Sequence, residues 1–299
     1  MALDTPILFI IFNRPDPTRR VFNEIRKIKP QSLYIAADGP RIGQAGEAEL
    51  CEETRRIVSN VDWPCDVHTN FSKTNLGCKV GVSSALNWFF NKVEAGIILE
   101  DDCLPNQSFF LFCQELLERY RDTNKIKMIS GNNFQGGIKR GEASYYFSHF
   151  PHIWGWATWS RAWKDYDVSM RSYPQFKSEG KIRNTFTDQR MQKYYLSLFD
   201  RLYRNEIDTW DGQWVYSIYE QNGLSIIPNV NLVSNIGFGP NATHTKVEGI
   251  LSKIPVGKIE KIIHPTKVEA NEEADNLTFN KIYYRSFSQK IITKIKNFF

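Results

Sequence analysis

Short apolar runs alternate with helix-spaced apolar residues along the first half of the chain. Pro6 to Phe12 (PILFIIF) is continuous and predicts a strand buried on both faces. Asn13-Arg14-Pro15 reads as a turn, and Thr18 to Ile28 places Val21, Phe22, Ile25 and Ile28 on one side of a helix. Ser32 to Ala37 predicts a second strand, ending in Asp38-Gly39-Pro40. Ala45 to Val58 follows as a charged helix and Asp66 to Asn70 as a short strand. Asn75-Leu76-Gly77 opens a helix whose apolar face includes Val82, Ala85, Leu86 and Phe89. Gly96 to Leu99 is the next strand, Ser108 to Arg121 a helix with Phe109, Phe112, Leu116 and Tyr120 at helical spacing, and Lys127 to Ser130 a further strand. Strands separated by helices of this length predict βαβ units and a mainly parallel sheet, wound right-handed.

The pattern then changes. Tyr145 to Trp163 is crowded with aromatic residues, and Lys164 to Tyr203 is mostly polar and helical in part. Asp208-Thr209-Trp210-Asp211 leads into a helix through Tyr219. Leu224 to Pro228 and Val230 to Val233 are strand-like, and a glycine-bounded loop runs from Gly237 to His244. No internal repeat or low-complexity linker separates the halves, so they are expected to share one sheet.

The run Ile97-Ile98-Leu99 breaks at once into Glu100, Asp101 and Asp102. Three adjacent carboxylates cannot be buried without a cation or several donors. Ligands in open α/β sheets bind at the carboxyl ends of strands. The triplet therefore reads as either a solvated acidic turn or a divalent cation site for a phosphorylated ligand. Magnesium and manganese bind through one or two carboxylates plus substrate phosphates. Asp101 and Asp102 can supply a ligand and a supporting group, while Glu100 points to the other side of the strand.

Composition narrows the classes. Hydrophobic content is 41%, and no apolar run reaches the roughly 18 residues of a membrane span. The first apolar run carries Asp4 before it and Arg14 after it, the wrong layout for a signal peptide. Five cysteines without a C-x-x-C pair argue against both a disulfide framework and a zinc site. A cytoplasmic protein is expected. The net charge of +5 is accounted for by Lys281, Arg285, Lys290, Lys294 and Lys296 in residues 281–299, so the remainder balances near zero, unlike a nucleic-acid binder. In that tail Tyr284, Phe287, Ile291, Ile295 and Phe298 recur at helical steps among the basic residues. It reads either as an amphipathic helix on an anionic membrane surface or as a helix docked on the domain. No G-x-G-x-x-G or G-x-x-x-x-G-K-[ST] follows the first strand, which counts against a dinucleotide-dependent dehydrogenase and a P-loop kinase.

Several of these features, in this chain order, resemble the GT-A fold glycosyltransferases, in particular the N-acetylglucosaminyltransferase I family and its bacterial relatives. Glu100-Asp101-Asp102 followed by Pro105 and Phe109-Phe110 is similar to that family's EDD motif and its surroundings. The opening strand with Asn13-Arg14, Asp38 after the second strand, Gly155-Trp156, Trp210-Asp211 and His244 resemble further family elements. The likeness covers residues 6–245. It implies a GT-A fold (a mainly parallel sheet in a Rossmann-like α/β/α sandwich) and transfer of a sugar, N-acetylglucosamine or a close hexose, from a UDP-sugar to a glycan or lipid-linked glycan. It implies Mn2+ or Mg2+ held by Asp102 and His244, and a nucleotide-sugar contacted by Arg14, Asp38, Glu100, Asp101 and Trp156. Asp211 is the implied base. The implied organisation is a catalytic domain over 1–250, with a nucleotide-binding half (1–135) and an acceptor half (136–250), then an extension over 251–299. That extension suggests peripheral association with the inner face of a membrane. Each residue also has a plainer reading: Arg14 in a turn, Asp38 building Asp-Gly-Pro, Trp156 in a core, Asp211 at a helix N-cap. The family has two acids after the tryptophan, where this chain has Asp211-Gly212. A nucleotidyltransferase on a similar sheet and a non-catalytic membrane-surface protein are the competing classes.

Overall fold

The computed structural model describes residues 3–237 and 254–284. Its first four strands, β1 (Ile7–Ile11), β2 (Ser32–Ala37), β3 (Asp66–Phe71) and β4 (Ala95–Glu100), are joined by helices α1 (Pro15–Ile28), α2 (Glu47–Ser59) and α3 (Gly77–Phe90). They pair in parallel, with β2 against β1 and β3, and β1 against β4. A short β5 (Cys103–Pro105) and α4 (Gln107–Arg119) lead to β6 (Ile126–Ser130).

The aromatic stretch supplies β7 (Tyr145–Ser148) and β8 (Trp156–Trp159), followed by α5 (Ser160–Trp163), α6 (Tyr173–Ser178), α7 (Gln189–Tyr203) and α8 (Asp211–Glu220). Then come β9 (Leu224–Pro228), β10 (Val233–Asn235) and α9 (Glu272–Thr278). Eight strands form one sheet in the order β3-β2-β1-β4-β8-β6-β9-β7, and β5 and β10 form a separate two-stranded ribbon. Strands β7 and β8 run against the other six. The two halves thus share a sheet, as the absence of a linker led us to expect.

Alternation along the strands divides the core in two. Ile7, Phe9 and Ile11 of β1 and Ile97 and Leu99 of β4 join one cluster with residues of α1 and α4. Leu8 and Ile98 face a second cluster built from α3, α5, α7, α8 and the indoles of Trp156, Trp163, Trp210 and Trp214. Both faces are covered, which is why these strands read as unbroken apolar runs. Burying one Leu or Ile in either layer stabilises by about 1.5–3 kcal/mol. Because Leu99 faces the first layer, Glu100 turns toward the second, the side of α3 and α8.

Residues 254–284 pack along the body. Ile259, Ile262, Val268 and Ala270 lie on the first cluster and Phe279 is buried in the second. Among the described residues no helix is long and apolar enough to cross a membrane. Of the predicted tail helix, residues 285–299 lie outside the described residues.

Candidate functional site

The site grows from the end of β4. Arg14 ends the loop after β1 with φ −120° and ψ 83°, away from the helical region that the following proline disfavours, and Pro15 begins α1. Its guanidinium reaches back across the sheet edge and forks between two carboxylates. One amino group pairs with Asp101, and the other lies 2.9 Å from Asp102. Asp101 is 2% exposed and also accepts the Phe12 N–H at 3.2 Å. A carboxylate that deep requires such donors. Burial pushes the Asp101 carboxyl up to about 6, with Arg14 pulling the other way. Burial, reinforced by Asp102 and Asp101, pushes Glu100 up to about 8. Burial also opposes the charge on Arg14, but Asp101 and Asp102 more than offset it and keep the guanidinium protonated.

The β5–β10 ribbon brings a second wall. Asn235 pairs with Cys103, and the Ile236 N–H donates to the Asp102 carbonyl at 2.8 Å. Gly237 then passes so close that a Cβ there would sit 2.2 Å from Asp102 Oδ2 and 2.8 Å from Arg14 Nη1. A side chain at this position would collide with Asp102 and its arginine partner. His244, the expected second metal ligand, lies outside the described residues.

On the other side of β4, Asp211 is the first residue of α8. Its Oδ1 accepts from the Gly212 N–H at 2.9 Å and from the Thr209 hydroxyl, while Oδ2 takes no donor among the described residues. The carboxylates of Glu100, Asp211, Asp208 and Asp38 all act on the Cys78 thiol in the first turn of α3, which burial and these charges push up to about 12. Glu100 and Asp211 thus both lie near enough to Cys78, at the start of α3, for their charges to act on it. Sequence reasoning missed Cys78, Asp208 and Gly237. Asp208 was visible as the first acid of Asp208-Thr209-Trp210-Asp211, but nothing in the letters ties Cys78 or Gly237 to the acids.

Two expected contacts are placed differently. Asp38 spends both oxygens on protein donors: the N–H groups of Gly39 at 2.8 Å, Leu76 at 2.8 Å and Gly77 at 3.1 Å, and the Asn75 amide at 3.0 Å. With its acceptor sites filled, it fastens the end of β2 to the start of α3. Burial pushes its carboxyl up, against those donors. Trp156 is 1% exposed and stacked on Trp210 at 5.6 Å, so it is part of the second core layer and offers no open face for a sugar.

The donor set fits a hard cation in one respect. Asp102 is a partly exposed carboxylate next to Gly237, of the kind that suits an ion taking one or two carboxylates and completing its shell with phosphates and water. Among the described residues no three His, Cys, Asp or Glu side chains gather closely enough to hold a metal by themselves.

No protein-family model matches this chain, and no curated protein does. Solved structures resemble parts of it. HddC from Yersinia pseudotuberculosis is 8% identical with a TM-score of 0.34, over 54% of this chain and 80% of that one. Residues 1–349 of S. aureus TarS are 12% identical with a TM-score of 0.35, over 55% of this chain and 49% of that one. The mannosyltransferase PcManGT from Pyrobaculum calidifontis, in complex with GDP-Man and Mn2+, is 10% identical with a TM-score of 0.32, over 52% of this chain and 44% of that one. With likenesses this distant, the assignment rests on the chain's own α/β sheet and on the residues at its edge.

Proposed function

We propose that the chain is a metal-dependent, inverting glycosyltransferase that moves a sugar, N-acetylglucosamine or a close hexose, from a UDP-sugar to a hydroxyl of a glycan or lipid-linked glycan. The observation that carries this reading is the division of acids about β4. Asp101 and Asp102 are gripped by Arg14, while Glu100 turns to the other side of the strand, where Asp211 is near enough to help push its carboxyl up. On this reading a phosphate-binding group and a proton-accepting group would stand on either side of one strand end.

Asp102, with His244 as its companion, would hold Mn2+ or Mg2+, which when bound neutralises charge developing on a departing diphosphate. Arg14 supplies a fixed positive fork for the same anion. Glu100, which turns to the α3 side, would meet the hydroxyls of the donor sugar or ribose. Asp211 Oδ2 accepts the proton of the acceptor hydroxyl as its oxygen attacks the anomeric carbon. Asp38 and Trp156 serve indirectly, the first by fixing the start of α3 and the second by backing Trp210 ahead of Asp211.

Purified protein with manganese and a set of UDP-sugars tests the reading. UDP release supports it, pyrophosphate release would indicate a nucleotidyltransferase, and thermal indifference to both ligands a binding protein. Asp102→Ala should abolish metal-dependent UDP-sugar binding; unchanged affinity removes the metal role. Asp211→Asn should keep donor binding and lower turnover by about 10²–10⁴-fold. A lipid-linked acceptor would suit a basic tail on an anionic membrane. Deleting residues 281–299 should therefore weaken binding to phosphatidylserine vesicles, and unchanged binding removes that role.

A further inference from the structure

The eight-stranded sheet ends in β7 on one side and β3 on the other. The chain closes the β7 edge itself. Phe147 is bridged to Ala270 and its carbonyl accepts the Asn271 N–H at 2.8 Å, while the Ser144 N–H donates to the Ile263 carbonyl at 2.7 Å. Among the described residues no strand lies beyond β3.

The ends of β3 fix which of its backbone groups are left over. The Asp66 N–H donates to the Gln31 carbonyl at 2.8 Å and the Ser72 N–H to the Ala37 carbonyl at 2.9 Å, both toward β2. Backbone groups alternate in direction along a strand, so Asp66, His68, Asn70 and Ser72 bond to β2. Val67, Thr69 and Phe71 therefore turn N–H and C=O outward. Val67 is 37% exposed, and Thr69 is exposed as well. Natural edge strands are blunted by charges, a proline or a bulge. Residues 67–71 carry no acid, lysine, arginine or proline, and their register with β2 is unbroken. An open edge of this kind is a template for another strand.

We propose that β3 pairs antiparallel with β3 of a second copy, about a twofold axis at Thr69, so that two sheets become one. Only with the axis at the middle outward residue does every outward residue meet another. Thr69 exchanges both backbone bonds with Thr69 of the second copy, and Val67 does so with Phe71. Val67 and Phe71 lie on one face, where Phe71 packs on the first core layer. Each exposed Val67 thus gains an apolar cross-strand neighbour. The charges at the strand ends favour the same direction. Exposed Asp66 opens the strand, and exposed Lys73 follows it, with Arg55 held by the Ser72 carbonyl at 2.7 Å. Antiparallel pairing brings the acidic end of one copy to the basic end of the other, whereas parallel pairing would set like beside like. This self-matching is what selects a second copy over an unrelated strand.

Sedimentation equilibrium on the full chain from about 1 to about 100 µM tests it. We expect the wild-type mass to rise toward twice that of one chain, and self-association to weaken at least about tenfold in Val67→Lys and in Thr69→Pro. Proline at 69 removes an N–H that β2 does not use. Val67→Lys alters an exposed side chain, so it keeps the test decisive if Thr69→Pro fails to fold. The register has its own readout. Residues directly opposite in a hydrogen-bonded antiparallel pair have Cα atoms about 5.5 Å apart, within disulfide reach. With diamide as oxidant, Thr69→Cys should form a covalent dimer that neither wild type nor His68→Cys forms. A wild type that stays single at the highest concentration overturns the proposal. So does association that both variants leave intact, or a dimer that Thr69→Cys does not cross-link.

Discussion

Single residues at this site owe their roles to neighbours distant in sequence. Gly212 shows how. Where the resembled family carries a second acid, this chain has a glycine, and a Cβ there would lie 2.5 Å from Leu202 Cδ1 of α7. Leu202 is 2% exposed and has no room to swing aside. A side chain there must displace Leu202, and Asp211 is the acid this chain carries at the start of α8. Gly212→Ala would gain the helix preference of alanine, roughly 0.5–1 kcal/mol, and lose about 1–3 kcal/mol to overpacking. The second term wins, so the variant should be less stable by urea unfolding, and Leu202→Val should recover part of that loss in the double variant. Strict additivity of the two changes would mean that α7 and α8 do not meet at this point.

Among the elements, the segment ending in α9 is held by one buried carboxylate. Asp275, 4% exposed, accepts the Ser148 hydroxyl, the His149 N–H at 3.1 Å and His149 Nδ1 at 2.9 Å, all at the end of β7. Gln135, fully buried, adds bonds to the Ala274 carbonyl at 3.1 Å and the Thr278 hydroxyl at 2.8 Å. These bonds seat Phe279 in the second core layer and bring Tyr283 against Phe150 at 5.4 Å. Asp275→Ala strands the Ser148 hydroxyl and the His149 N–H, at about 1–3 kcal/mol each. Hydrogen exchange should quicken first in residues 271–284 while β1 to β4 stay protected. Simultaneous loss of protection across the sheet would show that α9 unfolds only with the whole.

Across the whole molecule, the parallel half was legible because β1, β2 and β4 are buried on both faces and leave continuous apolar runs in the sequence. Strands β7 and β8 were not. All eight of their residues are buried, and Tyr145 to Trp159 carries neither a period of two nor one of 3.6. The acids could be placed at a strand end from the sequence. The environments of Asp38 and Trp156 could not, since the donors to Asp38 at Leu76 and Gly77 and the stacking partner Trp210 are set by tertiary contact. The surroundings of His152 are likewise set by tertiary contact. The residue is 3% exposed, its ring lies 4.3 Å from Phe134, and burial pushes it down to about 3. That displacement gives the fold a pH dependence whose sign follows from linkage. The folded state keeps His152 neutral, while the unfolded chain binds a proton below its ordinary value near 6.5. Its contribution to stability is therefore complete above pH 6.5 and is lost as pH falls toward 3, at up to about 1.4 kcal/mol per pH unit. His152→Leu keeps an apolar side chain against Phe134 and removes the proton site. Urea unfolding at several pH values should show wild type losing stability relative to this variant below pH 6.5 and running parallel to it above. Parallel curves down to pH 4 would mean that the ring is charged, or open to water, within the fold.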